Sequence, residues 1–483
     1  MSHTYYNYIN GEWVSSKTNE TYASINPANT EEVLGYFQSS NEEDVELAIQ
    51  SAENAFADWA NTAVPKRGNV LFTLIQLLEE KKEELATIIT KEVGKSFREA
   101  NGEVNKTIEA MKQFSGEANR MTGETVPSNS SEIFGYTIRE PLGVVGVIAP
   151  YNFPLGIGIW KIAPAIIAGN TVIFKPASNT SLISIKIIEL FEEAGVPAGV
   201  INMVTGSGSV IGNAIGNHPK IKAVSFTGST NVGLALGKAV STRGAKMQAE
   251  MGGKNPSIIL EDANIDETVE NLVISGFLDN GQRCTGTSRV IVLKSIAKEL
   301  TEKLVARADK LVIGEGFREN VDNGPVVDEG QLNTYLHYVQ SAIDEGATLE
   351  YGGKRLTENG LDKGYFVAPT IFSNVTKEMT IFREEIFGPV IGITTVDTYE
   401  EALELANDSE FGLSSTIYTN DLNKAFHFVR NVESGVTHVN IPSNYFENQY
   451  PFGGKKASSI GPREQGSTTL DFWTDYKTVY IKA

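Results

Sequence analysis

The chain has 483 residues, 41 of them basic and 60 acidic, for a formal net charge of −19 at pH 7. With 41% hydrophobic and 21% charged residues it has ordinary globular proportions, room for roughly two to four domains, and no need of covalent staples. The acidic balance excludes nucleic acid and anionic membrane as partners, the single cysteine excludes an internal disulfide or a cysteine-built metal centre, and no uncharged apolar run reaches the roughly 18 residues of a membrane span. Residues 1–10 are polar and aromatic and lack the basic-then-apolar order of a secretion signal, so a cytoplasmic location is expected. On these totals an enzyme and an acidic binding protein are both open.

Residues 41–59 carry Val45, Ala48, Ile49, Ala52 and Phe56 at helical spacing behind Asn41, a natural N-cap. Residues 67–93 form a longer helical region with a break. Residues 123–139 read as an isolated strand region. From Gly143 short apolar runs at 143–149, 171–174, 200–204 and 223–226 alternate with helical stretches at 156–168, 181–194, 209–216 and 231–242. Strands apolar at nearly every position suit a parallel sheet covered on both faces, and the alternation predicts a doubly wound α/β fold. A second α/β segment runs from about Lys254 to Gln465, with strands at 257–260, 289–293, 415–418 and 435–440. The tail ends in a β-like run at 477–482 with no partner nearby in sequence. Lone strands of this kind pair with each other or with another subunit.

Cys284 lies in Gly281-Gln282-Arg283-Cys284-Thr285, between a helical run and a strand. A lone cysteine is commonly an inert buried residue, but a loop at an element's end is where catalytic groups gather, and a thiolate attacks carbonyl carbon well. Glu250, in Glu250-Met251-Gly252-Gly253-Lys254, follows the strand at 246–249, where α/β sheets place functional groups. It can serve as a general base or simply pair on the surface. Gly228-Ser229-Thr230-Asn231-Val232-Gly233 joins a strand to a helix, either as a pyrophosphate cradle or as a tight turn. Asn152, in Pro150-Tyr151-Asn152-Phe153-Pro154, offers an amide to an oxyanion or shapes a turn. Lys175, at the end of the strand at 171–174, reaches a ribose or phosphate or stays solvated. The five histidines show no metal-ligand spacing, and no metal is expected. A Cys–His hydrolase is formally open but leaves the strand–helix series and the glycine turn without a purpose.

Together with Gly169-Asn170-Thr171-Val172, Lys175-Pro176-Ala177, Phe226-Thr227-Gly228-Ser229-Thr230, Glu384-Glu385-Ile386-Phe387-Gly388-Pro389 and Pro451-Phe452-Gly453-Gly454, these strings resemble the aldehyde dehydrogenase superfamily in order and spacing over essentially the whole chain. The resemblance implies a Rossmann-like cofactor domain (residues 1–122 and 141–251), an α/β catalytic domain (252–467) and a β oligomerisation arm (123–140 and 468–483). It implies Cys284 as nucleophile, Glu250 as general base, and Asn152 with the Cys284 backbone N–H as oxyanion hole. It implies cofactor contacts at Tyr151, Asn152, Lys175, Ser178, Gly228, Ser229, Gly233, Met251 and Glu385. A small-molecule aldehyde is the expected substrate and a homodimer or homotetramer the expected assembly.

Gly281-Gln282-Arg283-Cys284-Thr285-Gly286-Thr287-Ser288-Arg289, Gly199-Val200-Ile201-Asn202 and Arg243-Gly244-Ala245-Lys246 are similar to the bacterial α-ketoglutarate semialdehyde dehydrogenases. Oxidation of that aldehyde through a Cys284 thiohemiacetal and thioester is therefore expected, with succinate semialdehyde as the alternative and a catalytically dead scaffold as the reading from another class. Arg283 and Arg289 are nearby sources of charge for an acid substrate. Position 178, where many NAD-preferring relatives carry a glutamate, is serine, so NADP is expected to be preferred and NAD used as a weaker alternative. Gly461-Pro462-Arg463-Glu464 departs from the common Gly-Arg-Glu by Pro462, a difference expected to affect packing more than chemistry.

Overall fold

A computed structural model describes residues 3–482. Asn41 caps the helix Glu42–Asn61, accepting from the amides of Glu43 (3.0 Å) and Asp44 (3.3 Å). Asp44 returns the bond by accepting from Asn41 N at 3.0 Å, a closed capping box. The long helical region divides at Lys81 into Val64–Glu80 and Lys82–Val93.

The first large sheet has eight strands in the order Glu12–Val14, Asn7–Ile9, Ile201–Met203, Thr171–Lys175, Val144–Ile148, Ile221–Thr227, Lys246–Glu250, Ser459–Ile460. The five strands from Ile201–Met203 to Lys246–Glu250 are parallel, and antiparallel edges flank them. Val144–Ile148, Thr171–Lys175 and Ile201–Met203 follow one another outward, after which the chain returns to the other side of Val144–Ile148. That reversal is the topological switch point, where the carboxyl ends of neighbouring strands open a crevice. The central strands Val144–Ile148 and Thr171–Lys175 are buried at every position, as their unbroken apolar runs require.

The second sheet has seven strands in the order Thr348–Tyr351, Thr370–Ser373, Val390–Val396, Thr287–Leu293, Asn255–Ile259, Ser414–Tyr418, Val436–Val439. All are parallel except the edge strand Thr348–Tyr351. The fold is α/β as expected. Only Met251 to Lys254 separate the carboxyl end of Lys246–Glu250 from the amino end of Asn255–Ile259, so the two sheets meet end to end at that turn. The two lone strands pair with each other: Ile133–Pro141 runs antiparallel to Thr474–Lys482 over nine residue pairs. No helix among the described residues is long and apolar enough to cross a membrane.

Candidate active site

The loop carrying Cys284 is held in an unusual backbone conformation. Asp279, Asn280 and Gly281 are consecutive residues in the left-handed region, with φ of 52°, 54° and 62°. Such positions cost a side-chain-bearing residue roughly 1–2 kcal/mol each, least for Asp and Asn. Tertiary contacts offset the cost. Glu99 Oε1 accepts from Asp279 N at 2.9 Å, and Asn280 Nδ2 donates to the carbonyls of Gly324 (2.8 Å) and Pro325 (2.7 Å). At 281 only glycine fits, since a Cβ would lie 2.3 Å from Gly388 O. Beyond this turn Cys284 O accepts from Asn255 Nδ2 at 2.7 Å, and Ser443 Oγ donates to Thr285 O at 2.7 Å.

Asn152 follows the strand Val144–Ile148 at the switch point and is buried. Its Nδ2 donates to Gln282 O at 2.9 Å, two residues before Cys284, so one of its two N–H bonds ties the first sheet to the cysteine loop. Glu250, the last residue of its strand, is also buried, and its Oε2 accepts from Ser459 Oγ at 2.6 Å. The other oxygen, Oε1, has no hydrogen-bond partner. Burial, then the neighbouring Glu464, raise the pKa of this carboxyl well above the usual carboxylate range. Cys284 and Glu250 line one cavity of about 470 Å³, walled by Phe153, Trp160, Phe446 and Phe452. Burial, then the carboxyls of Glu385 and Glu250, push the Cys284 thiol up to about 12.

The remaining candidates from the first sheet stand at or beyond the carboxyl ends of its strands. Lys175 ends its strand and is buried, which pulls its ammonium down to about 8. Ser178 opens a 3₁₀ turn and donates to Gly206 O at 3.1 Å. Gly228 and Ser229 precede the thirteen-residue helix Thr230–Thr242, whose first amides receive no side-chain cap. A Cβ at Gly233 would stand 2.3 Å from Met251 Sδ, so glycine allows the helix to close on Met251. Glu385 Oε1 accepts from Gly253 N at 3.0 Å, and burial raises its carboxyl to about 7. Tyr151 stacks edge-on to Phe387 at 5.9 Å, with its buried hydroxyl unpartnered.

The model of the Aldehyde dehydrogenase family matches residues 13–479. The chain belongs to that family. Among curated members, the α-ketoglutaric semialdehyde dehydrogenase of Bacillus subtilis (strain 168) is 46% identical over 479 residues, covering 99% of this chain and 98% of the relative. The malonate-semialdehyde dehydrogenase of the same organism is 42% identical, covering 98% and 96%. A betaine aldehyde dehydrogenase of Staphylococcus aureus, solved in complex with NAD+, superposes with a TM-score of 0.96 at 35% identity, covering 99% of this chain and 95% of that one.

This aldehyde dehydrogenase also brings residues to the cavity that sequence reasoning passed over. Glu464 forms a buried ion pair with Lys161, and its Oε2 accepts from Trp160 Nε1 at 3.1 Å. Lys161 also donates to Ser225 Oγ at 2.8 Å. The signal for Lys161 was present, as the only charged residue in the otherwise apolar helix Pro154–Ala168. Glu464 lay in the string flagged for Pro462, where packing was expected to matter more than chemistry. Arg289 drops out as a source of charge for substrate. Its guanidinium is buried and bonded to the carbonyls of Lys254, Leu405, Ala406 and Asp408. Arg283 does line the cavity, but it is held by Asp279.

Proposed function

We propose that the chain oxidises α-ketoglutarate semialdehyde (2,5-dioxopentanoate) to the corresponding dicarboxylic acid, with succinate semialdehyde as the alternative substrate. One observation carries the chemistry: the only cysteine shares a cavity with a carboxylate oxygen that has no partner, beside an amide anchored two residues away. The substrate class rests on the two semialdehyde-named relatives, whose substrates join an aldehyde to a carboxylate.

In this reading Cys284 Sγ bonds to the aldehyde carbon, and the thiol proton passes to Glu250. The carbonyl oxygen becomes an oxyanion that receives the second N–H of Asn152 and the backbone N–H of Cys284. A bound nicotinamide supplies the hydride acceptor that converts the thiohemiacetal to a thioester. Glu250 gives that first proton up to solvent, then takes a proton from the attacking water, and Cys284 leaves as a thiolate as the acid forms. A carboxylate whose proton affinity is raised by burial is a better base for both transfers than an exposed one.

The crevice fits a dinucleotide. The uncapped amides at the start of Thr230–Thr242 face where Gly228, Ser229 and Gly233 would hold the pyrophosphate. Lys175 and Ser178 would hold the adenosine ribose and Glu385 the nicotinamide ribose, with Tyr151, Asn152 and Met251 flanking them. Position 178 carries no carboxylate to repel a 2′-phosphate, so NADP is the preferred coenzyme and NAD the weaker one. Residues 1–122 with 141–251 serve as the cofactor domain and 252–467 as the catalytic domain. Segments 123–140 and 468–483 form the oligomerisation arm of a cytoplasmic homodimer or homotetramer. The exposed Phe134, Tyr476, Tyr480 and Ile481 on that ribbon support this reading.

A panel of aldehydes tests the proposal, scored by catalytic efficiency with each coenzyme. The acid semialdehydes, α-ketoglutarate semialdehyde foremost, are expected to lead; neutral aliphatic or aromatic aldehydes in front would overturn the substrate. A mass spectrum after brief exposure to substrate and cofactor separates an enzyme from an inert scaffold, because only the enzyme consumes both.

A further inference from the structure

Among the charged residues lining the cavity or pairing with its lining, every interior cation is held by a carboxylate. In its interior Lys95 pairs with Glu103 at 2.9 Å, Arg283 with Asp279, and Lys161 with Glu464, and in these pairs no side chain is more than 20% exposed. Glu99 and Glu250 complete the set of interior carboxyls; burial raises the proton affinity of both. An anionic substrate therefore meets no free cation inside. Withdrawing a partner from a buried pair strands the other charge in low dielectric, so these three cannot trade partners with a ligand.

The fourth pair differs. Lys106 and Glu109 lie on the helix Phe97–Glu117 with side chains 48% and 58% exposed, and the two are 2.8 Å apart. An exposed i,i+3 pair of this kind contributes little and is readily exchanged. Lys106 stands 5.9 Å from the ring centroid of Phe446, which packs edge-on against both Trp160 and Phe452 of the cavity wall. Gly102, on the same helix face one turn before Lys106, has no heavy atom within 4 Å of where a Cβ would be, leaving the approach open.

We propose that Lys106 receives the far carboxylate of the substrate in place of Glu109, and so sets the preference for acid aldehydes over neutral ones of the same length. The inference rests on the semialdehyde reading above. Exchange needs no buried charge to move, and Lys106, the aromatic side chains and Cys284 line the same cavity.

The test compares succinate semialdehyde with butanal as a matched four-carbon pair, taking the ratio of kcat/KM values. Lys106→Gln should lower the ratio about tenfold, as loss of one charge-assisted hydrogen bond does. Lys106→Arg should keep the ratio within about threefold of wild type, while Glu109→Gln, which frees the ammonium, should raise it by about two- to fourfold. In wild type the ratio should fall as salt rises from about 0.01 to 0.5 M, because the contact is exposed, and this dependence should vanish in Lys106→Gln. A wild type that prefers the acid together with a Lys106→Gln ratio changed less than about twofold would overturn the assignment of Lys106 and leave the substrate reading intact. A wild type with no acid preference would overturn both.

Discussion

Oxygen Oε1 of Glu250 rests against the backbone of Gly453: a Cβ at position 453 would stand 2.6 Å from it. Gly453 has φ of 150°, which further disfavours a side chain there. Because Ser459 tethers the other oxygen, Gly453→Ala should turn the carboxylate out of place rather than slide it. Displacement by about 1 Å can cost on the order of a hundredfold in rate. The expected phenotype is a rapid burst of reduced coenzyme followed by a steady rate at least about tenfold slower, as thioester hydrolysis becomes limiting. Glu250→Gln should slow thioester hydrolysis most, and provided acylation stays fast, rapid quench should trap the acyl-enzyme. A Gly453→Ala enzyme with a wild-type steady rate would mean the carboxylate has room to spare.

The raised pKa of Glu250 gives a sign for the pH profile. The base is competent only when ionised, so turnover limited by hydrolysis should rise as pH climbs through its elevated range and fall as it is protonated below that. Glu250→Gln should flatten this limb. A limb at the pKa of an ordinary exposed glutamate would show that burial does not govern the base.

With its thiol pushed up to about 12, Cys284 should be slow to alkylate in the free protein. Alkylation follows the thiolate, so the rate with iodoacetamide should climb about tenfold per pH unit beyond pH 9 without a plateau. A plateau near the pKa of a free thiol would contradict this. As the chain has one cysteine, incorporation of one label should coincide with complete loss of activity. Cys284→Ala should abolish turnover while coenzyme still binds; activity surviving full labelling would remove Cys284 from the chemistry.

Asn152→Ala should lower kcat about a hundred- to thousandfold, the usual worth of one oxyanion donor at about 2.7–4 kcal/mol. Part of the loss would come from releasing Gln282 O, which the same amide holds. Coenzyme titration by fluorescence should move far less than kcat. A loss under about threefold would place the second N–H away from the oxyanion.

Ser178→Glu should turn coenzyme preference toward NAD. The wild-type hydroxyl already donates to Gly206 O, so it can turn to a 2′-phosphate only by giving up that bond, whereas a carboxylate there would repel the phosphate outright. Efficiencies with NADP and NAD, wild type against variant, decide the point. A wild type at least about tenfold better with NAD would show that other residues outweigh position 178.

Much of the local structure was legible in the chain. Asn41 sits where a cap must be because its side chain can answer two amides that the first turn leaves free. Val144–Ile148 and Thr171–Lys175 read as buried strands because both faces are covered, and Asn152 and Lys175 were legible as candidates by their place at the strands' carboxyl ends, whereas Ser178 was legible only through the family resemblance. The pairing of the two lone strands was foreseen only as one of two outcomes, since nothing local distinguishes a distant partner in the same chain from a partner in another copy.

By itself, the sequence determined periodicity, caps, turn glycines and the motifs that fix the family, all of which depend on residues close together in the chain. Only the tertiary structure decided which charges face one another. Arg283 and Arg289 look alike in sequence, yet one lines the cavity beside Asp279 and the other is consumed by four backbone carbonyls. Lys161 and Glu464 lie 303 positions apart and meet as a buried pair beside Glu250. The reason is physical: a charge's energy is set by the dielectric and by the partners around it in space, and those are assembled only when the sheets meet end to end.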